Sequence, residues 1–513
     1  MHMYVTQGLH RGLRLHPERV ATIFGERRHT YRELASRVQR LAGSLQALGL
    51  KANDRVALLA LSSDRYLECM LAVHWAGGVV CPLNNRWSPS EISFSLQDCE
   101  PSFLILDDPF LPLLKEITLL VPPKNIIHLG ETVTPTGLSD YRKLIEDGPS
   151  IPDSLRHDDD LAFILYTGGT TGFPKGVMHS HSGMVSAAAS MCASQCKTGP
   201  IYLHSVPLFH MAGIQLLLTH HLQSGTHVFS SAFVPESILN LIEREKVTDT
   251  MLVPTMLQML LDQQDRTNAD LSSLTQMYYG AAPITSALLD RAIKNMPNTE
   301  FIQGYGMTET AICVTLGGYY HTQEDLRHGK LRSTGQPTLM SEIKIQDEGR
   351  ELPLGQVGEV LVRCASTMLG YWKNPQATAE VLQDGWVHTG DIGYIDHDGF
   401  VFIVDRKKDM IISGGENIYS SEVESCLSRH PSVASCVVIG IPHQLWGESV
   451  HAIVVLHEGM DTSSEAILQH CLESLTGYKC PRSIEFRTAL PLSSTGKILK
   501  TELREPYWRN QAI

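Results

Sequence analysis

Apolar and polar residues near the start of the chain follow first a helical and then a strand pattern. Thr30 and Glu33 form a capping-box pattern, and apolar residues at helical spacing follow until Gly49, which is suited to end a helix. These apolar residues are Leu34, Val38, Leu41, Leu45 and Leu48. The run at 55–61 predicts a buried strand, residues 66–76 a helix, and the G-V-V-C-P-L run a second strand. Because buried strands joined by a helix are typical of βαβ units, this part predicts a parallel sheet.

The same alternation continues in the middle of the chain. The pattern predicts a strand ending in a loop at 204–210, a helix at 235–246 and a strand at 249–254. Two further strands, within 276–283 and 301–310, each lead into a loop of small residues. Ligands of open parallel sheets bind at the C-terminal ends of the strands, so we expect these loops to carry a site.

The last third of the chain changes character twice. From about Gly335 it is rich in strands and turns, and a boundary is predicted near Asp405–Asp409. Beyond the boundary the pattern predicts helices at 420–427 and 467–475 and strands at 433–439 and 450–456. The predicted fold class is α/β. It comprises a large N-terminal part, 1–405, with mostly parallel βαβ-type sheets and a β-rich subdomain from about 335, and a small α+β C-terminal domain, 406–513.

Composition narrows the classes of function. A chain of 513 residues is expected to form two to four domains or subdomains. Its formal charge of −13 argues against a nucleic-acid partner. Eleven cysteines without a C-x-x-C framework favour a reducing, cytoplasmic location, and no apolar run is long enough for a membrane span. We find no signal-peptide pattern and no peroxisomal address. The oligomeric state stays open, with a homodimer among the alternatives.

The stretch Y-T-G-G-T-T-G-F-P-K-G, from Tyr166 to Gly176, carries the clearest candidate chemistry. It follows an apolar strand-like run and contains four glycines, two threonines besides Thr167, and Lys175. Glycines let backbone N–H groups turn towards a phosphate, and the hydroxyls and the ammonium add donors and charge. The stretch therefore predicts an anion cradle, although a Gly/Thr-rich loop also occurs as a plain surface turn.

Two common nucleotide motifs are excluded at this stretch. A Walker loop places its lysine directly after glycine and a hydroxyl directly after the lysine. Here Phe173 and Pro174 precede Lys175, and Gly176 follows it. No G-x-G-x-x-G opens a helix after an early strand either, so a dinucleotide-binding fold is not supported.

Five separated motifs resemble one family when they are taken in order. They are Y-T-G-G-T-T-G-F-P-K-G, Q-G-Y-G-M-T-E-T, H-T-G-D, D-R-K-K-D-M-I-I-S-G-G-E-N-I and P-L-S-S-T-G-K-I-L-K. The chain resembles the adenylate-forming enzymes over essentially its whole length, and it looks most like their acyl- and aryl-CoA synthetases. The resemblance implies that ATP and a carboxylic acid form an acyl-adenylate with release of pyrophosphate. A thiol, that of coenzyme A, then displaces AMP.

The resemblance also assigns a nucleotide site. The phosphate cradle would comprise Thr167, Gly168, Gly169, Thr170, Thr171, Gly172 and Lys175. Gly168 departs from the family pattern, which has serine there, and this removes one hydroxyl donor. The adenine and its surroundings would contact Gly280, Ala281, Ala282, Gln303 and Tyr305, and the ribose would contact Asp391 and Arg406. Thr308 would bind the α-phosphate and Glu309 a magnesium ion. The alternative interpretation of Glu309 is a carboxylate that only stabilises the start of a helix.

The C-terminal motifs imply a mobile domain. Lys497 resembles the lysine that contacts the carboxylate and α-phosphate during adenylation, and Lys408 lies at the family's hinge position. Gly414 and Gly415 lack side chains where a pantetheine arm would pass. Trp446 matches a position that faces the CoA nucleotide in some aryl-CoA ligases. A buried core tryptophan is the alternative interpretation of this residue.

The acid pocket is the least determined part. His210 resembles the family's aromatic gate, while a lone histidine after a strand also reads as structural. The remaining pocket residues implied are Met211, Gly213, Thr255, Tyr279, Gly304 and Met307. They suit either a fatty chain or an aromatic ring. Ala212 stands where plant hydroxycinnamate ligases tend to carry tyrosine, so the acid stays open between fatty, benzoic and hydroxycinnamic classes.

Three alternatives to an acid–CoA ligase remain from the sequence. The adenylate could pass to a carrier-protein thiol or to an amine, and no carrier domain is visible in the chain. A luciferase-like oxidation shares the same motifs. A non-catalytic binding protein with this fold would be expected to lack Lys497, Glu309 or Asp391, and all three are present.

Overall fold

The computed structural model describes residues 2–167, 174–194, 199–282, 284–317, 321, 329–492 and 498–509. Some predicted site residues lie outside these ranges: Gly168, Gly169, Thr170, Thr171, Gly172 and Lys497. Within the ranges, the α/β fold class is confirmed, with two mainly parallel sheets in the N-terminal part, an antiparallel β-rich part and a C-terminal α+β part.

The first sheet has eight strands among the described residues. In spatial order they are Gly370–Tyr371, Lys175–Ser180, Leu161–Thr167, Val79–Pro82, Arg55–Leu59, Phe103–Leu106, Ile126–His128 and Ser139–Asp140. The predicted βαβ unit is present: strands Arg55–Leu59 and Val79–Pro82 pair in parallel, and helix Asp64–Trp75 connects them along the chain. Strand Leu161–Thr167 pairs antiparallel with Lys175–Ser180, so the cradle stretch connects two neighbouring strands.

The second sheet has nine strands in the described part of the chain. They run Gln336–Pro337, Ala311–Leu316, Glu300–Met307, Gln276–Gly280, Asp249–Leu252, Ile201–His204, Thr226–Phe229, Val20–Phe24 and Arg27–Thr30. The strand predicted at 204–210 is wrong, since the strand ends at His204. Pro207 cannot donate to a sheet, and its carbonyl instead accepts from the backbone N–H of His210 in a turn.

Helices cover the faces of these two sheets. The capping box is confirmed at helix Tyr31–Ala47, where the Thr30 side chain accepts from the Glu33 N–H and Glu33 reaches back to Thr30. The other α-helices of this part are Gln7–Leu15, Pro89–Cys99, Leu114–Ile117, Tyr141–Asp147, His181–Ser194, Met211–Leu222, Pro235–Glu245, Pro254–Thr267, Ser286–Asn295 and Pro375–Val381. Short 3₁₀ turns occupy Asp108–Leu113, Pro123–Asn125 and Lys330–Arg332.

The third sheet is the predicted β-rich part. Its strands, all antiparallel, are Arg350–Glu351, Ser341–Asp347, Gly358–Cys364, Trp386–Ile395 and Leu382–Gln383, with Val401–Arg406 paired to Trp386–Ile395. This sheet ends at Arg406 and the next strand begins at Ile411. The predicted division of the chain near this point stays a prediction.

The fourth sheet forms the C-terminal α+β part. Its strands are Glu416–Ile418, Ile411–Ser413, Gly447–Leu456, Val433–His443 and Ser483–Phe486. Helices Ser420–Leu427, Ser464–Leu472 and Lys500–Trp508 belong to the same part. The helix predicted at 467–475 begins earlier, because the Ser463 side chain accepts from the Ala466 N–H and caps it. Among the described residues, no helix is both long enough and apolar enough to cross a lipid bilayer.

Candidate active site

Glu309 lies in a tight turn between two antiparallel strands of the second sheet. The turn joins Glu300–Met307 to Ala311–Leu316, and Ala311 adopts a left-handed backbone with φ of +59°. Glu309 is only 7% exposed. Burial raises the pKa of its carboxyl above the ordinary value, and a hydrogen bond from Tyr371 opposes that rise. A buried carboxylate on a non-glycine left-handed turn is the type of feature found at functional sites.

The Tyr371 hydroxyl donates a hydrogen bond of 2.7 Å to Glu309 Oε1. The ammonium of Lys175 lies 5.1 Å from the centroid of the Tyr371 ring. Lys175 and Arg406 are both close enough to Glu309 to lower the pKa of its carboxyl electrostatically. The structure therefore brings together three predicted site residues from separate motifs: Lys175, Glu309 and Arg406.

Tyr305 and Asp391 form the second centre of the site. The Tyr305 hydroxyl donates to Asp391 Oδ2 over 2.7 Å, and Arg406 Nε lies 3.2 Å from Asp391 Oδ1. Asp391 and Arg406 are opposite each other on the paired strands Trp386–Ile395 and Val401–Arg406. Burial and the neighbouring Asp391 raise the pKa of the Tyr305 phenol well above its usual range, so the hydroxyl stays a donor.

The small-residue loop after strand Gln276–Gly280 runs beside the Tyr305 strand. Gly280 pairs with Gly304, and a Cβ on Gly280 would lie 2.2 Å from the Gly304 carbonyl oxygen. Only glycine permits this approach. Ala281 then adopts φ of +64° and is exposed, while Ala282 is half-buried. The predicted adenine wall thus lies next to the strand that carries Tyr305.

Thr167, Thr308 and Gln303 have described contacts around these centres. Thr167 is opposite Lys175 in the strand pair, and its hydroxyl lies 3.5 Å from the Lys175 carbonyl. The Thr308 carbonyl is 2.7 Å from Nε2 of the buried His179. Burial lowers the pKa of His179 to about 4, so its ring is neutral near pH 7 and donates from Nε2. Gln303 accepts from the Tyr279 hydroxyl over 3.4 Å.

The two neighbouring tyrosines of strand Gln276–Gly280, of which Tyr279 is a predicted acid-pocket residue, face opposite sides of the second sheet. Tyr279 is fully buried against the helices of one face, and its hydroxyl lies 2.8 Å from His321 Nε2. Tyr278, its neighbour, points to the other face and packs near Val206, Ala212 and Ile312. This alternation follows from the two-residue period of a strand. The role of Tyr279 in the acid pocket stays a prediction.

The segment around His210 starts the helix Met211–Leu222. His210 is the residue before the helix, and its ring lies 4.2 Å from that of Phe209. Met211 is buried in the main core, and a Cβ on Gly213 would lie 2.5 Å from the Pro207 carbonyl oxygen. Thr255 is half-buried in the first turn of helix Pro254–Thr267. Gly304 and Met307 lie on the Tyr305 strand.

Lys408, the predicted hinge residue, lies between the third and fourth sheets. Arg504 of the last helix donates to the Lys408 carbonyl over 3.0 Å and to the Asp409 carbonyl over 3.1 Å, and it pairs with the Asp409 carboxylate at 2.9 Å. Lys408, Arg504 and Trp508 line a cavity of about 310 Å³. Burial, followed by nearby Arg406, lowers the pKa of the Lys408 ammonium.

The predicted CoA residues lie together on the fourth sheet. Gly414 and Gly415 have φ of +63° and +87°, which other residues rarely adopt. The Gly414 N–H donates to the Trp446 carbonyl over 2.9 Å. The Trp446 ring stacks on His443 at 4.2 Å and lies under the guanidinium of Arg482 at 3.7 Å. The described contacts of this group are made within the C-terminal part.

Three residues next to the site were not predicted from the sequence: Tyr371, His179 and Arg504. Tyr371 is 62 positions from Glu309, and Arg504 is 96 from Lys408. Each acts through a tertiary contact, and no local spacing indicates such contacts. The G-Y-W run at 370–372 lies next to no predicted helix or strand, so the sequence pattern gave no indication of a role for it.

Comparison with known proteins gives a consistent result. The sequence model described as AMP-binding enzyme matches residues 9–372, and the one described as AMP-binding enzyme C-terminal domain matches residues 422–497. The chain is 37% identical over 500 residues to a feruloyl-CoA synthase from Amycolatopsis sp, covering 97% of this chain and 98% of that one. It is 36% identical over 507 residues to the fatty acid–[acyl-carrier-protein] ligase ScoC from Streptomyces coeruleorubidus, covering 97% and 95%.

A solved structure supports the same relationship. The o-succinylbenzoate CoA synthetase of Bacillus subtilis, in complex with its acyl-adenylate intermediate, superposes with a TM-score of 0.85 at 30% sequence identity. The match covers 100% of this chain and 99% of the other.

Proposed function

The chain belongs to the AMP-binding enzyme family. On that basis we propose which of its residues bind ATP, magnesium and CoA, and which class of acid it activates. The chain is an AMP-forming acyl- or aryl-CoA synthetase, which activates a carboxylic acid through an acyl-adenylate with ATP and then forms a thioester. The finer assignments below are proposals. The observation that carries them is that Tyr371 links the buried Glu309 carboxylate to Lys175, with Arg406 near enough to lower the pKa of that carboxyl.

The first half-reaction gathers anions. A carboxylate must approach the α-phosphate of ATP, and pyrophosphate must leave, so the site has to supply positive charge and orientation. Lys175 and Arg406 are cations that lower the pKa of the Glu309 carboxyl, and Lys175 lies at the end of the cradle stretch. We assign Lys175 to the leaving phosphates and Thr308 to the α-phosphate.

The nucleoside end of ATP would lie at the second centre. Asp391, 7% exposed, offers carboxylate oxygens to the ribose hydroxyls, and Arg406 beside it offers donors. The aromatic face of Tyr305 and the small loop Gly280–Ala282 are suited to enclose a flat base. The Tyr305–Asp391 hydrogen bond would hold both groups in one arrangement.

The magnesium ion belongs to the proposal as well. Mg²⁺ prefers carboxylate and phosphate oxygens. Glu309 supplies a buried carboxylate that Tyr371 links to Lys175, the proposed phosphate-binding lysine, so the residues fit the ion. When bound, it would neutralise phosphate charge during adenylation. Residues that position Glu309 would then act on the reaction through this ion.

The second half-reaction would use the C-terminal part. Gly414 and Gly415 leave room for a pantetheine arm, and Trp446 with Arg482 offers an aromatic face and a cation to the CoA nucleotide. Lys497 would serve the first half-reaction only. Rotation about Lys408 would exchange one arrangement for the other, so that each half-reaction has its own catalytic face.

We propose a fatty or aromatic acid as the substrate. The relatives include enzymes named for feruloyl-CoA synthesis and for fatty acid transfer to a carrier protein, with nearly equal identity to this chain. The acceptor is proposed to be free CoA, and a carrier-protein thiol is the alternative that the second relative favours. A cytoplasmic location fits the ten described cysteines, which are all free thiols.

One experiment tests acid and acceptor together. Release of AMP and pyrophosphate is measured with magnesium-ATP across fatty acids, benzoates and hydroxycinnamates, with and without CoA. We expect AMP formation that depends on CoA and on one class of acid. Pyrophosphate exchange that CoA does not convert into turnover would instead support a carrier-protein or amine acceptor, and no acid-dependent exchange would reject the proposal.

A further inference from the structure

Tyr371 lies between two charged groups that the proposed function uses, although no motif assigned it a role. Its hydroxyl donates to Glu309 Oε1 over 2.7 Å, and its ring lies 5.1 Å from the Lys175 ammonium. The tyrosine is 6% exposed and Glu309 is 7% exposed. A single side chain thus contacts the proposed metal carboxylate at one end and the proposed phosphate lysine across its face.

We propose that Tyr371 is a positioning residue that holds the Glu309 carboxylate for the divalent cation of the Mg–ATP complex. This inference rests on the proposed function, since it takes Glu309 as the cation ligand. The phenol can donate one hydrogen bond to a carboxylate, and that bond restricts rotation of the carboxylate about its last torsion. Groups that orient metal ligands in this way commonly change metal affinity roughly ten- to hundredfold when they are removed.

The backbone around Tyr371 is built to keep the phenol in place. Gly370 and Tyr371 pair with Met178 and Val177, on the strand that Lys175 begins. The Tyr371 N–H donates to Thr378 Oγ1 over 2.9 Å. The ring position is therefore fixed from the same strand that carries the phosphate lysine.

The same segment also holds the Glu309 backbone. The Met368 N–H donates to the Glu309 carbonyl over 2.8 Å, and the Trp372 N–H donates to the Gly176 carbonyl over 2.7 Å. Residues 368–372 thus join the turn with Glu309 to the strand with Lys175. The Glu309 turn is held at two points, one on the backbone and one on the carboxylate.

The test is the substitution Tyr371→Phe, which removes the hydroxyl and keeps the ring under Lys175. Binding of Mn²⁺, used as a spectroscopic substitute for Mg²⁺, is measured by electron paramagnetic resonance in the presence of a non-hydrolysable ATP analogue. We expect Mn²⁺ affinity to fall roughly tenfold, the loss for one hydrogen bond to a charged group. Affinity for the analogue without metal should stay unchanged, since Tyr305 and Asp391 are untouched.

Tyr141→Phe is the matched control, because Tyr141 donates a buried hydrogen bond of 2.6 Å to Glu68 in the first part of the chain. It removes the same chemical group and should lower stability without changing Mn²⁺ binding. An equal loss of Mn²⁺ affinity in both variants, or no loss in Tyr371→Phe, would overturn the proposal. Thermal denaturation of each variant shows whether it is folded.

A double-mutant cycle with Glu309→Gln separates positioning from general structure. If Tyr371 acts through Glu309, Tyr371→Phe has no further effect on Mn²⁺ affinity once Glu309 is replaced. Additive losses would overturn the inference. The outcome is distinct from failure of the proposed function, because the binding measurement needs neither an acid nor CoA. A wild-type chain that binds Mn–nucleotide but shows no acid-dependent turnover would reject the ligase proposal alone.

Discussion

The Tyr305 hydroxyl donates a hydrogen bond of 2.7 Å to Asp391, although 86 positions separate the two residues along the chain. The bond joins the loop-bearing strand of the second sheet to the third sheet. Asp391 has Arg406 on its other side at 3.2 Å. The proposed ribose site is therefore a three-residue arrangement held by both sheets.

Tyr305→Phe is expected to weaken ATP binding about tenfold, because Asp391 loses a donor that fixes its carboxylate, a bond of roughly 1.5–3 kcal/mol. Asp391→Ala is expected to cost more, about a hundredfold, since it removes the proposed ribose ligand itself. Isothermal titration with ATP measures both. Tyr394→Phe on the same strand is the control, because Tyr394 stacks on Phe402 away from Asp391. Unchanged ATP affinity in both Tyr305→Phe and Asp391→Ala would remove the ribose assignment.

Local features of the fold were predictable from the sequence, while long-range ones needed the family resemblance. The capping box of Thr30 and Glu33 depends on four adjacent residues, so the sequence alone is sufficient. Tyr305, Asp391 and Arg406 come from three motifs, and only the resemblance indicated that they belong to one site. The strand predicted at 204–210 failed because apolar residues continue past His204, where the strand ends, into a turn that contains Pro207.

Residues that act through others escape sequence analysis. Tyr371 and His179 carry no motif, and each contacts the Thr308–Glu309 turn of the second sheet from a strand of the first sheet. For Tyr279 the residue was predicted, but the direction of its side chain could not be. The buried strand Gln276–Gly280 has apolar neighbours on both faces, so its pattern does not show which tyrosine faces which side.

Lys497→Ala is expected to abolish acid-dependent pyrophosphate exchange and to spare thioester formation from a supplied acyl-adenylate. The reason is that the lysine would act on the carboxylate and α-phosphate only, so the second half-reaction does not need its charge. Single-turnover assays of each half-reaction make the comparison. Lys479→Ala is a suitable control, because Lys479 pairs with Glu422 in the same part of the chain. Equal damage to both half-reactions would refute the separation.

Arg504→Ala is expected to lower CoA-dependent turnover several-fold while pyrophosphate exchange changes little. Arg504 donates to the carbonyls of Lys408 and Asp409, so its loss would free the predicted hinge from the last helix. The same change should lower the free energy of unfolding by about 1–3 kcal/mol, since three charge-assisted contacts are lost. Arg509→Ala, which breaks an exposed pair with Glu505 in the same helix, should have little effect on either quantity. Equal effects of the two variants would argue against a role for Arg504 at the hinge.

Three fully buried histidines form a chain that joins two strands of the second sheet, which carry His204 and His227, to helix Met211–Leu222, which carries His221. His227 Nδ1 lies 3.0 Å from His204 Nε2, and His227 Nε2 lies 3.4 Å from His221 Nδ1. Burial lowers the pKa of His221 to about 4 and lowers the pKa values of His204 and His227 well below the ordinary value of 6.5. All three rings are therefore neutral in the folded protein near pH 7.

These shifts predict a loss of stability in acid. As pH falls below 6.5, the unfolded chain binds a proton at each of these histidines while the folded chain does not, so the free energy of unfolding falls as pH falls. For His221 this window extends down to about pH 4. Each such histidine contributes a slope of about 1.4 kcal/mol per pH unit in this window. Urea denaturation at several pH values between 7.5 and 4.5 measures the total slope. His227→Phe should reduce the slope by the contribution of about one histidine, because it removes one group that binds a proton in the unfolded chain but not in the folded chain. The explanation fails if His227→Phe unfolds with the same pH dependence as the original chain.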